Sequence, residues 1–166
     1  RKTAYDLIAV EKNGKLINMD AQAPNKVFAE WAMRFDPAAI AVHSEYRFGQ
    51  SRLDFCLETP QGLHLVEVKG VTLEEDGHTR FPDARTERGV KHLHELMHAV
   101  TLGHRATVFF VIQMADVVDF APNDATHPAF GEALRRAKAA GVNIAAYCCR
   151  VTPESMEIDR PVEIRL

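Results

Sequence analysis

Three ionisable residues are spaced so that they could do chemistry together: Asp54, Glu67 and Lys69. They fall in the stretch from Arg52 to Gly70, which reads as two strands joined by a tight turn. From Arg52 to Leu57 polar and apolar residues alternate. That alternation predicts a half-buried strand with Leu53, Phe55 and Leu57 on one face and Asp54 on the other. Thr59-Pro60-Gln61-Gly62 carries turn chemistry, with proline at the second position. His64 to Lys69 is the returning strand. A turn centred on Pro60 and Gln61 sets Asp54 across from Glu67, where opposed Cβ atoms are about 5 Å apart. Lys69 shares the face of Glu67 because side chains alternate along a strand. Two carboxylates so placed repel, and a cation between them relieves the repulsion. Hard cations such as Mg²⁺ are held by one or two carboxylates, a main-chain carbonyl, waters and substrate phosphate. The ordinary reading of such charges is a solvated hairpin face with a surface ion pair. Here, however, Glu67 and Lys69 interrupt the apolar run Leu63, Leu65, Val66 and Val68. Charges inside a buried strand are costly, which favours a site.

The flanking chain must position this hairpin. Arg1 to Met19 reads as two short strands around Asn13-Gly14, a strong hairpin signal. Asn25 to Phe35 predicts a helix, with Pro24 near its start, Asn25 as a cap, and Val27, Phe28, Trp31, Met33 and Phe35 as apolar bulk. Val42 to Phe48 is the first core strand, and Gly49-Gln50-Ser51 turns into the hairpin. Arg52 shares the polar face of Asp54, either balancing its charge or contacting a phosphate. Glu74 to His78 reads as an acidic, mobile loop. Pro82 and Asp83 open a long helix that ends near Leu102-Gly103, with Val90, Leu93, Leu96, Met97 and Val100 as its buried stripe. On a helical wheel Arg85, Arg88 and His92 fall together on one flank, and a cationic flank beside an acidic hairpin suits a phosphodiester backbone. Ala106 to Gln113 is a strand buried on both faces. Asp119 to Pro128 reads as a loop, and Pro128 to Ala140 as an amphipathic helix stopped by Gly141. Val142 to Arg150 is a further buried strand, and Ser155 to Leu166 forms edge strands interrupted by Pro161. This order of strands and helices is that of an α/β fold.

The pattern of Asp54 followed by Glu67-Val68-Lys69 resembles the core of the PD-(D/E)xK nuclease superfamily. A longer string is more specific: Ser51 to Phe55, Glu67 to Leu73, Phe81 to Gly89, then Lys91-His92-Leu93 before Glu95-Leu96. It resembles the sugar fermentation stimulation protein A family, from about Asn25 to the C-terminus. The resemblance implies a restriction-endonuclease-like mixed sheet flanked by helices. It implies a β-hairpin over residues 1–22 at the junction to an N-terminal OB-like domain that this chain lacks, and a nuclease-like domain over 23–166. It implies DNA binding linked to regulation of sugar (maltose) metabolism. Asp54 and Glu67 would be ligands of Mg²⁺ or Mn²⁺ with the Val68 carbonyl, Glu30 an auxiliary ligand from the preceding helix, and Lys69 the catalytic lysine. Taken alone, Glu30 reads as a solvated helix residue. Arg52, Arg85, Arg88, Lys91 and His92 would hold the nucleic-acid backbone. On this reading the chain is a metal-dependent nuclease. The alternative is a DNA-binding regulator without turnover.

A competing motif lies in the long helix. His94-Glu95-Leu96-Met97-His98 spells the zinc metalloprotease signature, with His104 placed as a third ligand. Thr101 stands where the longer signature requires glycine, and these histidines project away from the cationic flank. The zinc reading therefore ranks last. The 166 residues suit one domain, with 46% hydrophobic and 26% charged residues. A net charge of −3 rules against coating nucleic acid through global charge, so such binding must use a local patch. Cys56, Cys148 and Cys149 show no CxxC spacing, which suggests a reducing cytoplasm. No apolar run has transmembrane length, so no membrane partner is expected. A homodimer is compatible with the reading.

Overall fold

A computed structural model describes residues 4–166. Its centre is a six-stranded mixed sheet in the order β11-β10-β8-β5-β4-β3. The strands are β3 (Ala41–Phe48), β4 (Ser51–Thr59), β5 (Gly62–Val71), β8 (Arg105–Ile112), β10 (Asn143–Thr152) and β11 (Ser155–Pro161). The middle strands β5, β8 and β10 run parallel, while β3, β4 and β11 attach antiparallel. Parallel neighbours need crossovers. Helix α2 (Glu87–Thr101) lies in the crossover from β5 to β8, and α3 (Pro128–Ala139) in that from β8 to β10.

Helices cover both faces. Leu93, Leu96 and Ala99 of α2 and Phe130, Leu134 and Ala137 of α3 pack with Leu65, Val108, Phe110 and Ile112. On the other face α1 (Ala23–Phe35) places Val27, Phe28 and Ala32 against Phe55, Leu57, Val66, Val68 and Phe109. Both faces of β8 are therefore buried, as the apolar run from Ala106 predicts. Cys56, Cys148 and Cys149 are buried free thiols, and burial pushes Cys149 up to about 12.

Two smaller sheets flank this core. The first is the hairpin β1 (Ala9–Lys12) and β2 (Lys15–Asn18), turned by Asn13 and Gly14. Both take positive φ, 51° and 77°, as a two-residue hairpin turn requires. Arg1–Thr3, the start of the expected hairpin segment, lie outside the described residues. The second is a four-stranded sheet ordered β12-β9-β7-β6, built from β6 (Leu73–Glu75), β7 (His78–Phe81), β9 (Asp119–Pro122) and β12 (Glu163–Ile164).

This second sheet corrects two expectations, and the helix starts correct two more. Glu74 to His78 is not a mobile loop but the β6–β7 hairpin, turned by Asp76 and Gly77. The stretch from Asp119 begins with strand β9, which pairs parallel with β7. Helix α2 starts at Glu87, where the Thr86 hydroxyl accepts from the Gly89 N–H at 2.9 Å. Phe81-Pro82 is a cis peptide, and the chain from Pro82 to Arg85 is not helical. At α1 the cap position belongs to Gln22, and Asn25 lies inside the first turn.

Candidate active site

The β4–β5 ladder explains how the carboxylates come together. It runs from Thr59↔Gly62 to Phe55↔Val66, so the turn centres on Pro60 and Gln61 as expected. It stops one step short of Asp54 and Glu67. Beyond it, side chains replace main-chain partners. The Asp54 N–H donates to Glu67 Oε2 at 3.2 Å, and the Val68 N–H donates to Asp54 Oδ2 at 2.8 Å. Each carboxylate thus holds the backbone of the opposite strand. On its other side, the β3–β4 ladder also skips Asp54, because the facing Glu45 takes a left-handed φ of 52°. The strand changes face there. Leu53 joins the core under α2 and α3, whereas Phe55 and Leu57 join that under α1, so the regular alternation expected for these three does not hold.

Glu67 is 3% exposed and its charge is met from three directions. His92 Nδ1, from α2, lies 2.7 Å from Oε1, and Lys69 Nζ lies 3.1 Å from the same atom. Burial works to raise the Glu67 carboxyl, but the His92 hydrogen bond and the Lys69 charge outweigh it and hold it below the usual carboxylate range. Asp54 is shifted the other way, raised by burial and by the neighbouring charge of Glu67. The Val68 N–H, the Asn25 amide at 3.1 Å and the Lys69 charge offset this only in part. Two acids with pKa values pushed apart in one cleft form a chemically differentiated pair.

The pair opens into a cleft of about 480 Å³. The cleft lies at the C-terminal ends of β5 and β8, where ligands of open α/β sheets bind. Met19, Ala21, Pro24 and Asn25 form one wall, and Arg80, Phe81, Arg88 and His92 the other. Gln113, just beyond β8, braces the first wall. Its Nε2 donates to the Asn18 and Asp20 carbonyls, each at 3.1 Å.

The structure brings Asp54, Glu67, Val68, Lys69, Arg88 and His92 to this cleft and leaves the other expected residues outside it. Glu30 lines separate depressions beside β11. It follows Asn25 by five helix positions, about 140° around the axis, so a helix that points Asn25 at Asp54 turns Glu30 away. Arg52 is exposed and sits opposite Arg47 on the β3–β4 ladder. Arg85 precedes the helix, is 72% exposed and lies 3.9 Å from Glu87. The helical-wheel grouping of Arg85 with Arg88 and His92 therefore fails. Lys91 is exposed and does not line the cleft. His92 is not a surface cation but a buried partner of Glu67. Asn25, Arg80 and Gln113 also line the cleft, although the sequence offers Asn25 only as a helix cap, Gln113 only as a strand end and Arg80 in no role. Arg80 carried one usable signal, its place three residues before the Asp83 of the matched string.

Asp54 and Glu67 with the Val68 carbonyl are a set of hard oxygen donors, the kind that suits Mg²⁺ or Mn²⁺. Asp54 oxygens and Glu67 Oε2 each keep a lone pair beyond the hydrogen bonds described, so the residues fit such an ion. Among the described residues no group of three or more His, Cys, Asp or Glu side chains is arranged to hold a metal. The zinc signature is accordingly not assembled. His98 and His104 rest their rings against Phe48, with centroids 6.2 and 6.0 Å away.

Comparison with known proteins agrees with this architecture. Residues 22–155 match the family model of the sugar fermentation stimulation protein RE domain. The sugar fermentation stimulation protein homolog of Desulfitobacterium hafniense (strain Y51) is 53% identical over 167 residues, which span 100% of this chain and 73% of that protein. That of Clostridium perfringens (strain SM101 / Type A) is 51% identical over 171 residues, again 100% of this chain and 74% of the relative. The solved structure of Pyrococcus furiosus SfsA in complex with Ca²⁺ superposes with a TM-score of 0.88 at 28% identity, covering 100% of this chain and 74% of that one. The chain belongs to the sugar fermentation stimulation protein family.

Proposed function

We propose that this protein is a divalent-metal-dependent phosphodiesterase acting on nucleic acid, with DNA as the first substrate to try. The observation that carries the reading is the pair Asp54 and Glu67, cross-braced between strands with Lys69 3.1 Å from Glu67, in a cleft edged by Arg80 and Arg88. The Pyrococcus furiosus relative was solved in complex with Ca²⁺, which supports looking for a hard-cation site in this fold.

Asp54, Glu67 and the Val68 carbonyl would hold Mg²⁺ or Mn²⁺. When bound, such an ion polarises a phosphoryl oxygen and lowers the pKa of water. The chain's own residues do the rest. Lys69 turns from Glu67 toward the reacting phosphate, where it orients the attacking water and meets developing negative charge. Arg80 and Arg88 grip flanking phosphates and fix the register of the strand. Glu67, low in pKa, stays ionised throughout. Hydrolysis of the phosphodiester consumes one water and leaves a phosphomonoester and a hydroxyl end.

The test is cleavage of single- and double-stranded DNA and RNA with Mn²⁺ or Mg²⁺, comparing wild type with Lys69→Ala and Asp54→Asn. Product formed by wild type, and lowered by at least 100-fold in both variants, is the expected result. Equal activity in all three would mark a contaminant and overturn the reading. DNA binding without product would favour a regulator that grips nucleic acid through the same cleft.

A further inference from the structure

We infer that His92 is a positioning residue: it holds the Glu67 carboxylate in its ligating orientation independently of Lys69. The inference rests on the metal-centre reading above. Two groups stand beside Glu67 Oε1: His92 Nδ1 in an ion-pair contact of 2.7 Å, and Lys69 Nζ, which donates to it at 3.1 Å. Oε2 accepts the Asp54 N–H at 3.2 Å and keeps its remaining lone pair for the cleft.

The protonation pattern follows from distance. The contact of 2.7 Å to a carboxylate oxygen requires the hydrogen to be on Nδ1. The 3.4 Å approach of Lys69 Nζ to the same nitrogen is then a contact between two donors. Lys69 therefore has one acceptor here, Glu67, and nothing on the histidine side to hold it.

The two donors also differ in freedom. His92 is 5% exposed, on the second turn of α2, beside the buried Leu93. Such burial leaves the ring little room to turn away from Glu67. Lys69 has a long flexible stem at the rim. If Lys69 turns to the substrate, one Oε1 bond is lost and the His92 bond remains. Glu67 then keeps its rotamer, and Oε2 stays beside Asp54. Without His92, departure of Lys69 would leave Oε1 buried with no donor, and the carboxylate would turn to find one. Partners that orient a ligating side chain typically contribute about 10–100-fold in metal affinity.

The experiment titrates the purified protein with Mn²⁺ by calorimetry, alongside thermal melts. His92→Asn keeps an N–H near the place of Nδ1, whereas His92→Leu fills the space without a donor. His92→Gln sends its amide toward Nε2 instead. Mn²⁺ affinity within about threefold of wild type for His92→Asn, and about 10–100-fold weaker for His92→Leu, is expected. Should His92→Leu not fold, the gap between His92→Asn and His92→Gln decides in its place. Equal affinity for wild type and the donor-less variants overturns the inference alone. So does a folded His92→Asn that binds as weakly as they do. A wild type that binds no Mn²⁺ overturns the metal-centre reading, and the positioning role falls with it.

Discussion

Asp54 bears an electrostatic cost that the fold does not cancel. Burial and the charge of Glu67 raise its pKa, and the donors around it offset only part. A group whose folded pKa is raised favours folding when protonated, and that contribution is lost as pH rises through the folded pKa. At pH 7 the ionised Asp54 therefore destabilises the metal-free protein. Asp54→Asn removes the charge and keeps one carbonyl oxygen for the Val68 N–H. We expect a melting temperature in EDTA at pH 7 several degrees above wild type, with the gap closing toward pH 4. A variant that melts lower, or a gap that persists in acid, would refute this account. Glu67→Gln should act in the opposite direction. Its folded pKa is depressed, so its ionised form stabilises the protein above the unfolded pKa. The variant leaves His92 and Lys69 facing a neutral amide, and urea denaturation should show a loss of about 1–3 kcal/mol. The two neighbouring acids thus differ in sign, as expected where function opposes stability.

At the scale of elements, the end of the sheet opposite the cleft is held by a buried polar chain. Asn143 Nδ2 donates to Thr107 Oγ1 at 3.3 Å, and that hydroxyl donates to His64 Nε2 at 2.7 Å. His64 Nδ1 donates to Asp36 Oδ2 at 2.8 Å, and Arg105 Nη1 donates to the same oxygen at 2.8 Å. The chain ties β10, β8 and β5 to the end of α1. Burial and the Arg105 charge lower the His64 pKa more than Asp36 raises it, so the ring is neutral and the network is fully satisfied. Thr107→Val leaves Nε2 buried without a donor and should cost about 1–3 kcal/mol by urea denaturation at pH 7. Because the folded pKa of His64 is depressed, wild-type stability should fall as pH drops below about 6.5. His64→Gln should flatten that decline between pH 7 and pH 5, and an unchanged slope would assign it to other groups. This network also shows what the sequence conveys about elements. Strands β5, β8 and β10 announce themselves through apolar runs, and the β4–β5 register through Pro60 and Gln61. The β7–β9 pairing joins segments about forty positions apart, and strands of four residues show no periodicity to detect. The start of α2 is hidden for a different, local reason. Pro82 and Asp83 look like a helix start, but the hydrogen-bonded cap is Thr86. A helix begun at Pro82 puts Arg85 on a face that it does not share in the structure.

Across the whole molecule, charge is distributed against general nucleic-acid binding. The net charge is −3, and the cleft holds two carboxylates. Several cations elsewhere are committed to acids: Lys12 and Lys15 to Glu74, Arg135 to Asp124, Arg150 to Glu157 and Asp159, and Arg165 to Asp119. Among the described residues no ion pair within 4.0 Å engages Arg80 or Arg88, which flank the cleft from β7 and α2. Affinity for a polyanion must then come from a few local contacts, and its salt dependence counts them. Neutralising Z phosphates gives a slope of log K against log salt of about −0.9Z on duplex and −0.7Z on single strands. If the cleft takes nucleic acid as proposed, its two free arginines predict a slope near −2 in the presence of Ca²⁺, which on that reading would shield the carboxylate pair. Arg80→Ala and Arg88→Ala should each flatten that slope by about 1. Arg85→Ala should leave it unchanged, because Arg85 stands outside the cleft beside Glu87. Fluorescence anisotropy with a labelled oligonucleotide between 50 and 300 mM salt reads all four proteins on one axis. A steep wild-type slope shared by every variant would mean that phosphates bind elsewhere on the surface. With EDTA in place of Ca²⁺ the bare carboxylates face the phosphates, so wild-type affinity should drop while the slope contributed by the arginines remains.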